Sequence, residues 1–183
     1  METNEIYQQL INWYGDRFPL LENNAPSKES QKSLQDLCSS ILVPIKNQFG
    51  PIEITYGYTN PELVRLIKSS SIKGISPDLD QHSSCEENNH GNLICSRKGA
   101  ACDFIAKSSQ ANMFEITKWV IENLPFDRIY LYGKNRPIHI SYGPENSRFI
   151  QIMSESKNGR RYPAKKASGD KCLTLINEVI GYE

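Results

Sequence analysis

The chain contains three histidines, His82, His90 and His139. His82 and His90 lie in a long polar stretch. His139 sits in Pro137-Ile138-His139-Ile140-Ser141-Tyr142, an alternating pattern that places it on one face of a strand with Ser141. Asp103 lies in Gly99-Ala100-Ala101-Cys102-Asp103-Phe104, a carboxylate among small apolar residues that requires a partner if it is buried. Imidazole nitrogen and carboxylate oxygen are zinc ligands, and three protein ligands with an open position mark a catalytic rather than a structural site. A zinc ion held by His82, Asp103 and His139 would polarise a carbonyl and activate a water. The competing reading pairs Asp103 with an arginine, makes His139 a hydrogen-bonded core residue and leaves the polar stretch solvated. Residue types alone leave both readings open.

The elements that would position these residues follow from periodicity. Residues 4–21 carry Ile6, Leu10, Trp13 and Tyr14 at helical spacing. A second helix carries Leu34, Leu37, Ile41 and Leu42, with Ser27 or Ser30 as N-cap, a kink expected at Pro44 and an end at Gly50. Ile52, Ile54, Tyr56 and Tyr58 alternate as in a half-buried strand. Asn60-Pro61 opens a short helix bearing Leu63, Leu66 and Ile67. Ser69 to Lys98 is polar, and a structureless loop of that length is uncommon unless functional. A buried strand over 99–106, a helix over 110–124 and strands over 128–132, 137–142 and 149–153 complete the core. Residues 156–170 are basic and turn-rich, and Cys172–Ile180 fits a strand or a short helix.

The 183 residues suit one domain, with a helical extension over 1–33, a metal-binding core over 34–153 and a basic segment and tail over 154–183. Lys+Arg and Asp+Glu are equal at 21, so no global charge points to nucleic acid. No apolar run approaches the ~20 residues of a membrane span, and the polar, acidic start lacks the features of a secretory signal. A cytoplasmic protein without a membrane partner is therefore expected. The five cysteines are an odd number and are expected as free thiols, with inert thiols favoured over a Cys85–Cys95 clip or a second metal site. The oligomeric state is left open.

Several segments together resemble the M15 zinc peptidases. Ile54-Thr55-Tyr56-Gly57-Tyr58-Thr59-Asn60-Pro61 is similar to the strand and turn that open that family's core. Gln81-His82, Gly99-Ala100-Ala101-Cys102-Asp103 and Ile138-His139-Ile140-Ser141 follow in the family's order. The resemblance implies an α+β hedgehog/DD-peptidase-like fold, a small antiparallel sheet with helices packed on one side. It also implies a zinc metallohydrolase cleaving a peptide or amide bond, such as that of a peptidoglycan stem peptide, with His82, Asp103 and His139 as ligands.

Three departures qualify it. His82 and Asp103 stand 21 positions apart, farther than in the family, leaving His90 as an alternative first ligand. Arg136 occupies the position where many members carry an acidic general base, so Glu86, Glu87, Glu145 or His90 would have to serve. The family's substrate-binding arginine is replaced by Thr59, with Tyr56 in place of a serine. Arg65, Arg97 or Arg136 would take over the arginine's role. Tyr56, Tyr58, Arg97, Ser141, Tyr142 and Arg148 are the expected substrate contacts. A wall peptidase without a signal would need release by lysis, as in a phage-type enzyme. The alternatives are a cytosolic zinc hydrolase acting on a nucleotide or nucleic acid, and a binding protein of the same fold. The basic segment 157–166 would meet a nucleic acid, although a solvated turn is the commoner explanation of such a run.

Overall fold

A computed structural model of the chain describes residues 2–15, 24–70, 80–107 and 111–181. The expected helix over 4–21 and polar stretch over 69–98 fall partly outside these residues. The helices are α1 (Glu2–Asn12), α2 (Lys28–Leu37), α3 (Val43–Phe49), α4 (Pro61–Ser69), α5 (Met113–Asn123) and α6 (Lys171–Gly181). The strands are β1 (Ile52–Tyr56), β2 (Ala100–Ala106), β3 (Arg128–Leu131), β4 (Ile138–Tyr142), β5 (Phe149–Glu155) and β6 (Arg161–Ser168). No helix among the described residues is long and apolar enough to cross a membrane.

Local chemistry sets the element ends. Ser27 caps α2 through its side chain, and Asn60 caps α4 with Pro61 just inside. Between α2 and α3 the chain widens into a π-helical segment, Cys38–Leu42, where the Val43 N–H reaches back to the Cys38 carbonyl. This widening lies just ahead of Pro44, which has no N–H to give to the helix ladder. Gly50, at φ +86°, then ends α3.

The six strands form one sheet in the order β1-β2-β4-β3-β5-β6. The α+β class is as expected, but the sheet is mixed rather than antiparallel, because β5 runs parallel to β3. The connection after β4 does not fold back as a hairpin. It passes around the start of β3, where the Asp127 N–H donates to the Ser141 carbonyl and the Arg148 N–H to the Phe126 carbonyl. The Asp127 carboxylate is fully buried and accepts from the Ser147 N–H. Segment 161–168, expected as turn-rich, is an edge strand, and residues 171–181 form a helix.

Alternation along the strands separates two faces. Ile52, Ile54, Ala100, Cys102, Phe104, Ile129, Leu131, Ile138, Ile140 and Ile150 join the core built with α1, α2, α3, α5 and α6. Asp103, His139 and Tyr130 point the other way. The helices do not all lie on one side, because Leu63 and Ile67 of α4 pack against Tyr56, on the same face as Asp103. Five helices therefore hold the sheet from behind, and α4 flanks its front at the β1 edge.

Candidate metal centre

Asp103 on β2 is the direct cross-strand partner of His139 on β4. Register thus places a carboxylate and an imidazole side by side on the front face. His82 approaches from a single turn of 3-10 helix, Gln81–Ser83, whose N-cap is Asp80. Asp80 Oδ1 accepts from the His82 N–H at 2.9 Å, and the Thr59 N–H donates to the His82 carbonyl at 3.1 Å. The Gln81 amide donates to the Lys98 carbonyl at 2.9 Å and to the buried Asp127 Oδ2 at 3.0 Å. The residue before the histidine therefore ties its turn to the strand crossover.

Three side-chain atoms converge. His82 Nε2 lies 3.1 Å from His139 Nδ1 and 3.3 Å from Asp103 Oδ1, and His139 Nδ1 lies 3.0 Å from Asp103 Oδ1. In a tetrahedral zinc site with bonds of about 2.0–2.1 Å, the donor atoms stand about 3.3–3.4 Å apart. The observed triangle matches that to within a few tenths of an ångström. His82 Nδ1 lies 3.2 Å from the Gly57 carbonyl, which can only accept, so Nδ1 carries the hydrogen and a neutral ring turns its bare Nε2 into the triangle. Three electron-rich atoms this close repel one another unless a cation or a proton lies among them. The residues fit a divalent ion.

The electrostatics agree. Burial would lower the His82 pKa, but the charges of Asp80 and Asp103 outweigh it and raise the pKa above the usual histidine value. Burial would raise that of Asp103, but hydrogen bonds from His139 and His82 outweigh it and hold the carboxyl well below the usual range. The Tyr56 ring meets the His82 ring edge-on at 4.2 Å, and Tyr130 stacks on His139 at 4.8 Å with planes 15° apart. Both imidazoles are thereby fixed in orientation.

A second carboxylate adjoins the triangle. Ligand atoms of Asp80, His82 and His139 lie within 4.8 Å of one another. Two front-face residues of β3 and its end border the same space. They are Tyr130 and Tyr132, the latter with its pKa raised by burial and by the nearby Asp103 charge. Sequence reasoning missed Asp80, Gln81 as an anchor, Asp127, Tyr130 and Tyr132. The alternation of Tyr130 and Tyr132 with Ile129 and Leu131 was the available signal for the two tyrosines.

Of the expected site residues, the structure brings together His82, Asp103, His139 and Tyr56. Ser141 is on the same face but buried, its Oγ accepting from the Arg128 N–H. Arg97 lies beside the histidine turn, its Nε donating to Gln81 Oε1 at 3.5 Å. Tyr58 and Tyr142 pack with the helix-side core. Arg148, expected at the rim, instead donates to the Ile121 and Leu124 carbonyls at the end of α5. Arg136 is exposed and pairs with Glu155 at 3.2 Å. His90 is exposed in a turn closed by Asn88. Glu86 accepts from the Ser27 N–H at 2.9 Å, and hydrogen bonds from Ser30 and Ser27 outweigh its burial and lower its pKa. It thus anchors the segment after the histidine turn to the start of α2. Cys85 and Cys95 are both free. Residues 86–94 form a small hairpin bridged between Glu87 and Leu93, so this part of the polar stretch is ordered.

No protein-family model, curated protein or solved structure matches the chain. Function must therefore be argued from the site itself.

Proposed function

We propose that the chain is a zinc-dependent hydrolase that cleaves a peptide or amide bond, with His82, Asp103 and His139 as the metal ligands. The carrying observation is the triangle of Nε2, Nδ1 and Oδ1 atoms, with edges of 3.0 to 3.3 Å. Two imidazoles and one carboxylate suit zinc among the common divalent ions, and three protein ligands leave a position open. When bound, such an ion polarises a substrate carbonyl and makes a water acidic near neutral pH. The resemblance of the three ligand segments to the M15 peptidases, in order and in flanking residues, supports the amide bond and a ligand set like that family's.

The chain's own residues supply the rest. Asp80, whose carboxylate lies within 4.8 Å of the histidine ligand atoms, takes the water proton, a role that the permanently protonated Arg136 cannot fill. Tyr132, held protonated by burial and by Asp103, donates a hydrogen bond to the oxyanion that forms on the substrate. Tyr56 and Tyr130 keep the imidazoles from turning away.

Metal analysis tests the centre. Purified wild-type protein should carry about one zinc per chain. Asp103→Ala and His139→Ala should lose it while keeping their circular dichroism. Equal zinc in all three proteins would overturn the assignment. Stem-peptide cleavage tests the reaction: Asp80→Asn should keep its zinc and lose about a hundredfold in kcat. Zinc-loaded wild type that leaves every such peptide intact would retire the peptide reading and leave the metal centre standing.

A further inference from the structure

The front face of the sheet continues beyond the triangle. Pairing aligns Asp103, His139, Tyr130, Gln151 and Lys166 in one cross-strand row over β2, β4, β3, β5 and β6. Adjacent strands are about 4.8 Å apart, so Lys166 stands roughly 14 Å from His139 on the same face. Among the described residues, the main helix contacts to this half of the sheet come from α5 and α6, which belong to the core behind it. Arg128, Tyr130, Phe149, Gln151 and Met153 are each half-buried, and Arg161 and Lys166 are exposed.

This open half has a definite chemistry. The Arg128 guanidinium lies over the Phe149 ring at 5.0 Å, and the Arg161 guanidinium over the Tyr132 ring at 5.0 Å. The β5–β6 register shifts between Ile152 and Met153, which pairs Lys166 with Gln151 and Arg161 with Glu155. This bulge puts two cations five positions apart on one face. Tyr162 pairs with Ser154 and so lies on the opposite face of the sheet, where it is exposed. Among the described residues, Arg128, Arg136, Arg161 and Lys166 meet a single carboxylate, Glu155, shared by Arg136 and Arg161 at 3.2 and 3.9 Å. Buried Arg128 Nε has no hydrogen-bond partner among the described residues. Lysines alone would explain an edge strand guarded against aggregation. Rings paired with guanidinium groups, running inward to the metal triangle, go beyond that need.

We propose that the front of β3, β5 and β6 is a binding surface for single-stranded nucleic acid, with Arg128, Arg161 and Lys166 on its phosphates and Phe149 and Tyr132 against its bases. Alternating cations and rings are the means by which a strand is held without sequence readout. An acidic peptide would use the cations but not the rings, so nucleic acid is the ligand the surface favours. The inference goes beyond the hydrolase reading and does not depend on it.

Fluorescence anisotropy of a labelled oligothymidylate of about 12 nucleotides tests this. Binding should weaken with salt at a logarithmic slope of about −2, as expected for three phosphate contacts at about 0.7 each. The pair of exposed substitutions Arg161→Glu and Lys166→Glu should lower affinity at least tenfold and flatten the slope. Phe149→Leu, which keeps most of the packing volume, should lower affinity several-fold at unchanged slope. Binding should survive removal of divalent ions by a chelator, which separates it from the metal centre. No binding at low salt, equal binding of a polyglutamate peptide, an unaltered Phe149→Leu, or binding abolished by chelation would each overturn the proposal.

Discussion

At the scale of single residues, the site is a balance of charge that a proton or a metal ion can satisfy. His82 Nε2 and Asp103 Oδ1 are 3.3 Å apart, and His82 is almost fully buried. In metal-free protein a proton on His82 serves as the cation, which sets the pH dependence. The folded-state pKa of His82 is raised, so its contribution is complete below the unfolded value of about 6.5 and is lost as pH rises through the folded value. That of Asp103 is lowered, so its contribution is complete above about 3.9 and is lost as pH falls through the folded value. The metal-free protein should therefore gain most from this pair between about pH 4 and 6.5. Thermal melts over pH 2–9 should show Tm falling on both sides of that window. Asp103→Asn should remove the acid limb and weaken the alkaline one, which Asp80 continues to support by favouring the His82 proton. Identical profiles for wild type and variant would show that the pair carries no linkage. Zinc should restore stability above the window, where protons no longer compete for the nitrogens.

At the scale of elements, the sequence was most legible where periodicity and caps agree. The cores of α2, α4 and α5 and the strands bearing Asp103 and His139 fall where their apolar patterns place them. Asp103 and His139 were legible as site candidates, because a carboxylate in an apolar strand and a histidine in an alternating one both demand an explanation, whereas His82 stood out only by residue type and by the resemblance of Gln81-His82. What escaped was the connection after β4. A six-residue link, Gly143 to Arg148, looks like a hairpin, yet it crosses the start of β3 and makes a parallel pair. Its guide is Asp127, whose partners lie 20 and 46 positions away in the sequence, beyond the reach of local pattern. The 3-10 turn holding His82 was equally hidden, since its bonds run to Thr59, Lys98 and Asp127. Gly57 shows how tightly that side is packed: a Cβ there would collide with the Leu10 carbonyl oxygen and stand 2.7 Å from Trp13. Gly57→Ala should cost about 1–3 kcal/mol in denaturant unfolding, as overpacking does. It should also weaken zinc binding, because the Gly57 carbonyl orients His82. Glu86→Gln tests the opposite case. It should lower stability by about 1 kcal/mol through the α2 anchor and leave zinc affinity unchanged. A loss of zinc in Glu86→Gln would return that carboxylate to the site.

At the scale of the whole molecule, the centre joins two parts that are otherwise held by different forces. Asp103 and His139 belong to neighbouring strands in the middle of the sheet, backed by the main core. His82 and Asp80 belong to segment 80–99, which is fastened by scattered hydrogen bonds to Thr59, Ser30, Ser27 and Asp127. A core strand opens only when much of the domain unfolds, whereas a segment held by a few bonds opens locally at lower free energy. An ion ligated by both parts adds its binding energy to the local opening of 80–99, because His82 must leave the ion for that segment to move. The central strands gain too, but only through the global equilibrium, by RT ln(1 + [zinc]/Kd), about 4 kcal/mol at a thousandfold excess over Kd. Hydrogen exchange should therefore respond unevenly. On chelation, amides of 80–99 should exchange at least tenfold faster under conditions where β2 and β4 amides, exchanging through smaller fluctuations, change little. In His139→Ala the segment should already exchange at the fast rate and ignore the chelator. If chelation instead accelerates all amides equally, the ion stabilises the fold as a whole and does not act as a clasp between sheet and segment.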